Sequence, residues 1–138
     1  MRFRASLPTG LLLLLSLSCG SSHSSSPAPG DVEMLWHFTD GNTCSTLINM
    51  VAEMQVTIPG EAIQNNGAFP CNVGGTDGIQ LRDFVPGTYS YSVSALASDG
   101  TVLYSAAGTF VVDGDVQVDV LLMPAISGAS STNQPGGS

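Results

Sequence analysis

The sequence predicts an all-β protein, an antiparallel two-sheet sandwich of about seven strands. Three observations carry that expectation: apolar residues recur with period two, Gly-containing turn dipeptides break the chain at short intervals, and the charged fraction is only 10%. A cytosolic helical surface would instead carry many Lys/Glu pairs.

Period two is clearest in four segments. Val32, Met34, Trp36 and Phe38 alternate with Glu33, Leu35 and His37, and Met54, Val56 and Ile58 alternate with Glu53, Gln55 and Thr57. Tyr89, Tyr91, Val93 and Ala95 alternate with serines, and Val116, Val118, Val120 and Leu122 alternate with Gln117, Asp119 and Leu121. One side of each strand therefore faces a core and the other faces solvent. Residues 79–84 and 102–112 supply further strands. The breaks fall at Asp40-Gly41-Asn42, Pro59-Gly60, Pro86-Gly87, Asp99-Gly100 and Asp113-Gly114. The last two read as tight hairpins, because Asp-Gly supplies the positive φ that a short turn needs. Residues 44–49 alone suggest a helical turn.

With 138 residues the chain has room for one such domain, placed at 31–124. Its flanks are of another kind. Arg2 and Arg4 precede the apolar run Leu11 to Leu15 with Leu17, which ends at Ser18-Cys19-Gly20. This is the layout of an export signal at 1–18, too short to span a bilayer, for which about 20 apolar residues are needed. Residues 19–30 contain GSSHSSSPAPG, a flexible stalk, and 125–138 form a small, polar tail expected to be disordered. Beyond the leader one base, Arg82, faces eleven acids, a net charge of −10. That balance argues against nucleic acid and against anionic lipid headgroups as partners, since both recruit clustered Lys and Arg.

At Leu17-Ser18-Cys19 the leader resembles the signal of bacterial lipoproteins, in which the cysteine receives a diacylglycerol thioether and becomes the first mature residue. Ser16 stands where that pattern prefers Leu. The resemblance implies a palmitate-type anchor on Cys19, with Gly20 rather than Asp after it leaning toward the outer membrane. The alternative is cleavage after Gly20 and a soluble secreted product beginning at Ser21.

The domain has its own likeness. A Trp-bearing first strand, Cys44, the strand end Val56-Thr57-Ile58-Pro59-Gly60, Cys71, Pro86-Gly87-Thr88-Tyr89, Asp99-Gly100 and a final Val-rich strand resemble the prealbumin-like, Ig-like sandwiches. Carboxypeptidase regulatory-like domains and the B-type repeats of collagen adhesins belong to that group. The Lys-based isopeptide cross-link of adhesin repeats is excluded, because the sequence contains no lysine.

Of the three cysteines, Cys19 belongs to the leader junction, which leaves Cys44 and Cys71 to pair in an oxidising compartment. A bridge across 27 positions contributes roughly 3–4 kcal/mol by loop-closure entropy. Their spacing is not Cys-x-x-Cys, and two thiolates make half a zinc site.

No catalytic set is legible. His23 lies in the stalk, so a small hydrolase would have to use His37, which the alternation turns to solvent. Residues 74–78 (GGTDG) are glycine-rich but precede no helix, and read as a loop. Asp113 and Asp115 flank a turn, but two carboxylates are too few for calcium, so a solvated turn is the simpler reading. Trp36 reads as a core anchor, against an exposed platform for sugar or peptide. The expectation is a non-catalytic envelope module with no metal and no cofactor, tethered to a membrane, whose envelope protein or glycan partner the sequence does not name.

Overall fold

The computed structural model describes residue 20 and residues 25–125. The leader, Cys19, His23 and all but the first residue of the tail lie outside the described residues.

Seven strands form in chain order: β1 (Gly30–Phe38), β2 (Glu53–Thr57), β3 (Ala68–Phe69), β4 (Gly78–Phe84), β5 (Gly87–Leu96), β6 (Val102–Val112) and β7 (Val116–Pro124). A 3₁₀ turn, Gln64–Gly67, precedes β3. All-β architecture is as expected, and the alternation holds at nearly every position. Val32, Met34, Trp36 and Phe38 are buried, as are Met54, Val56, Ile58, Tyr91, Val93, Ala95, Val118, Val120 and Leu122. Tyr89 and Val116 are only partly buried, because each sits near a strand end.

The topology departs from the expectation. Hydrogen bonds link all seven strands into one mixed sheet, in the order β3-β2-β5-β6-β7-β1-β4, curled nearly into a barrel around a single core. It is not wholly antiparallel, because β1 and β7 run parallel from Val32–Val116 to Phe38–Leu122. The cause is the turn at Asp113-Gly114. That turn joins β6 to β7, but the strands pair only at the far end, Tyr104–Pro124 and Ser105–Met123. Near the turn the hairpin is open. Its polar groups are taken by the chain entering β1: Ala28 N–H donates to Asp113 Oδ1 (3.0 Å), Gly114 N–H to the Ala28 carbonyl (2.7 Å), and Asp31 N–H to Asp115 Oδ1 (2.9 Å). Gly30 packs so closely on the Gly114 backbone that a Cβ would collide with it. Drawn to β1, β7 gives its ladder to that strand and leaves β6. The expected tight hairpin is realised only at Asp99-Gly100, where Gly100 has φ 83° and Ala97 N–H bonds to the Thr101 carbonyl.

The core divides into an aromatic end and an aliphatic middle. Phe84, Tyr89 and Phe110 meet at centroid distances of 5.2–6.1 Å. At the other pole Phe38 and Tyr104 meet edge to face at 4.9 Å. Such offset and edge contacts follow the ring quadrupole. Because β1 runs from the first pole to the second, the stalk joins the domain at the Phe84 end, and β7 ends at the Tyr104 end.

Candidate functional site

Of the residues singled out from the sequence, Trp36, Cys44 and Cys71 come together toward the Phe38 pole, where β1 hands over to the 39–52 connection, whereas Asp113 and Asp115 lie at the stalk end. Within that connection, Thr43 opens a run of turns. Its N–H donates to Thr46 Oγ1 (2.8 Å) while Thr46 N–H donates back to Thr43 Oγ1 (3.3 Å), so the two hydroxyls satisfy orphan amides at the start of a turn. Leu47 N–H then bonds to the Thr43 carbonyl, and Val51 N–H to the Leu47 carbonyl. The expected helical turn at 44–49 is therefore a short run of turns that does not become a helix. It buries Leu47 and Val51 and leaves Ile48 (74%) and Met50 (55%) exposed.

Cys44 and Cys71 form a disulfide, with Cα atoms 5.5 Å apart. Both sulfurs are consumed, so neither serves as nucleophile or metal ligand while the bond stands. Around it the chain is tied from three directions. Trp36, 4% exposed, donates its indole N–H to the Cys71 carbonyl at 3.0 Å. Asp77 accepts Cys44 N–H on Oδ2 (3.0 Å) and the Asn72 amide on Oδ1 (2.7 Å), while its carbonyl accepts Trp36 N–H (2.8 Å). The 74–78 segment, read from sequence as a plain glycine-rich loop, thus carries the carboxylate that joins both sides of the bridge. Beside the disulfide lies an apolar groove of about 480 Å³, lined among others by Ser45, Ile48, Val51, Ala52 and Pro70.

A second polar cluster closes the same pole. Tyr104 donates its hydroxyl proton to Asp40 Oδ2 (2.8 Å) and accepts from Asn42 Nδ2 (3.0 Å). The hydroxyl donated by Tyr104 is the leading reason that the Asp40 carboxyl lies below its ordinary value of 3.8. Burial, reinforced by the nearby Asp40, pushes the Tyr104 phenol above its ordinary value of 10.0.

His37 projects from the outer side of β1 and pairs through Nε2 with Asp119 of β7 at 3.1 Å, both side chains more than half exposed. The parallel β1–β7 register creates this neighbourhood. Among the described residues no hydroxyl or thiol reaches the ring within hydrogen-bond distance. Trp36 is the core anchor expected of it. Asp113 and Asp115 lie exposed at the bend, as the solvated-turn reading expects, and in addition one oxygen of each carboxylate accepts a backbone N–H, as given above. Among the described residues no three His, Cys, Asp or Glu side chains gather as a metal-binding group.

Sequence reasoning missed Asp77 and the Asp40–Asn42–Tyr104 cluster. Each joins residues more than 30 positions apart, and no spacing rule connects them.

Fold and site together define a small all-β domain with one disulfide-tied pole. No family model matches the chain, and no curated protein matches it. A solved structure, that of a DUF4876 family protein from Bacteroides thetaiotaomicron, is similar to it with 14% identity and a TM-score of 0.37, over 70% of this chain and 24% of that one. The chain thus spans about a quarter of that structure.

Proposed function

We propose that the chain is an exported lipoprotein whose 1–18 leader is removed and whose Cys19 carries the lipid, with the 19–30 stalk presenting a non-catalytic binding or structural module at the outer membrane. The observation that supports it most is where the stalk meets the fold. Residues 25–29 are exposed and without regular structure, and they run directly into β1. That strand is paired on both sides, with β7 over seven positions and with β4 over five. The three bonds to Asp113, Gly114 and Asp115 sit at the junction itself. A pull along the stalk is resisted by two ladders in shear, an arrangement suited to a tethered domain.

The finer fold reading belongs to the same proposal. We read the curled sheet as two layers, β4-β1-β7 and β3-β2-β5-β6, hinged where Tyr104 and Ser105 meet Pro124 and Met123, as in prealbumin-like sandwiches. His37 on an open strand face with only a carboxylate beside it favours a non-catalytic role over a hydrolase.

Intact mass of the protein from its native host tests the reading. A chain beginning at Cys19 and carrying two or three acyl groups supports it. An unacylated chain beginning at Ser21 overturns it in favour of a soluble secreted module.

A further inference from the structure

The divergence of β7 leaves one edge of β6 open. Ala125 N–H bonds to the Leu103 carbonyl, and the β6–β7 ladder ends at the pairs Tyr104–Pro124 and Ser105–Met123. Backbone groups of an antiparallel strand alternate between its two sides. Carried along β6, that alternation turns the N–H and C=O groups of Ala107, Thr109 and Val111 toward the side that β7 has left. Those of Ala106, Gly108 and Phe110 serve the ladder with β5. Ala107, Thr109 and Val111 are exposed, and among the described residues no strand, turn or side chain meets their outward backbone groups.

The residues of this edge are complementary to themselves. About Thr109, Gly108 is matched by Phe110, Ala107 by Val111 and Ala106 by Val112, so that one half of the segment is small and the other large. A second β6 laid antiparallel across a twofold axis at Thr109 sets each small residue against a large one and threonine against threonine, a favourable cross-strand pair. Val111, 59% exposed, then lies beside Ala107 of the other copy.

Gly108 marks a gap in the edge. Tyr91, opposite it on β5, places its ring and hydroxyl oxygen 2.8–3.0 Å from where a Cβ of Gly108 would stand. That side chain is 9% exposed. The hydroxyls of Tyr89 and Tyr104 donate within the protein, whereas among the described residues the Tyr91 hydroxyl, aimed into the gap, has no protein partner. An aromatic ring set opposite an edge glycine covers such a gap, and in the twofold register that ring is Phe110 of the other copy. Charge agrees with this register. Residues 102–112 contain neither a charge nor a proline, whereas the edges of β4 and β7 carry Arg82, Asp83 and Asp119. Two acidic chains therefore meet here without opposed carboxylates.

We propose that two copies of this chain pair edge to edge through β6, antiparallel about Thr109, so that the open N–H and C=O groups of Ala107, Thr109 and Val111 satisfy those of the other copy. The two β3-β2-β5-β6 layers become one continuous sheet. Pairing consumes the open β6 edge of both copies and closes at a dimer. The sheet ends that remain, the two-residue β3 and the charged β4, do not extend it. A seam one strand wide is smaller than the roughly 1,600 Å² of a standard stable interface, so the dimer is weak and concentration-dependent. The inference deepens the reading of the domain as a binding or structural module by naming its partner, and it does not rest on the anchor.

The experiment uses the full chain carrying Cys19→Ser, exported so that its disulfide forms and no acyl group contributes. Sedimentation at rising concentration is expected to show a monomer–dimer equilibrium that tightens with salt, because screening relieves repulsion between two acidic chains. Thr109→Lys sets like charges opposite each other and weakens the dimer about tenfold or more. Thr109→Pro removes an N–H that β5 does not use, and abolishes the dimer while the domain stays folded. Register is read by oxidation. Thr109→Cys cross-links with itself, its counterpart lying about 5.5 Å away, whereas Ala107→Cys cross-links with Val111→Cys and not with itself. The Cys44–Cys71 bridge, checked by mass, reports folding, and Thr109→Lys decides if the proline variant does not fold. A chain that stays monomeric up to about 1 mM overturns the inference and leaves the edge to a strand of another protein. So does a dimer that survives Thr109→Lys, or Ala107→Cys cross-linking with itself as readily as Thr109→Cys. None of these outcomes alters the mass at Cys19 of the native protein, so failure here is distinct from failure of the anchor reading.

Discussion

The indole N–H of Trp36 points across 35 positions of sequence to the carbonyl of Cys71, 3.0 Å away, and so couples the first strand of the core to one half of the disulfide. A buried tryptophan needs a partner for that N–H. Here the partner is the backbone that also carries the bridge.

Replacing Trp36 with Phe keeps an aromatic anchor but removes this donor and some volume. The expected loss is about 1–3 kcal/mol, the cost of leaving a carbonyl under-satisfied. Trp36→Ala costs about 3–5 kcal/mol by opening a cavity. Urea unfolding at constant m-value measures both, and equal midpoints for Trp36→Phe and wild type would contradict the role given to the hydrogen bond.

Asp77 holds Cys44 N–H and the Asn72 amide at once. Asp77→Ala should therefore loosen both sides of the bridge and speed its reduction by dithiothreitol severalfold. Removing the bridge itself, with Cys44→Ala/Cys71→Ala, is expected to cost roughly 3–4 kcal/mol from loop closure. A reduction rate unchanged in Asp77→Ala would show that the loop keeps its place without the carboxylate.

The Asp40–Tyr104 pair sets a pH window. Asp40 is lowered in the folded state, so its contribution is present above the ordinary value of 3.8 and fades as pH falls through the folded value. Tyr104 is raised, so its contribution is full below 10.0 and is lost as pH climbs through the folded value. Thermal unfolding of Tyr104→Phe should lose part of the wild-type pH dependence at both extremes. Parallel profiles for the two proteins would refute this.

At the stalk junction, Asp115→Ala frees Asp31 N–H, with an expected cost of about 0.5–1.5 kcal/mol. Hydrogen exchange at Asp31 should quicken. Because two carboxylates at an exposed bend are too few ligands for calcium, the ion should leave the melting temperature of the wild type unchanged. Gly30→Ala at the same place drives a methyl into the Gly114 backbone and should cost about 1–3 kcal/mol by overpacking.

Much of this protein was legible one strand at a time. Alternation along 32–38, 54–58, 91–95 and 118–122 identified which side chains enter the core, because period two is a local property of the extended backbone. Parity of the cysteines pointed to Cys44–Cys71, and the solvent-facing His37 followed from the same alternation. What the chain could not reveal locally was which strands become neighbours. Asp113-Gly114 is a hairpin signal by composition, yet hydrogen bonds from Ala28, Asp31 and Gly114 draw β7 onto β1 and produce a parallel pair inside an otherwise antiparallel sheet. The same limit applies to Asp77, Trp36 and Cys71, and to Asp40 and Tyr104. Short-range periodicity decides which side of a strand is apolar; hydrogen bonds and packing between residues distant in sequence decide the order of strands and the polar contacts at the pole, and those exist only once the whole chain has closed around its core.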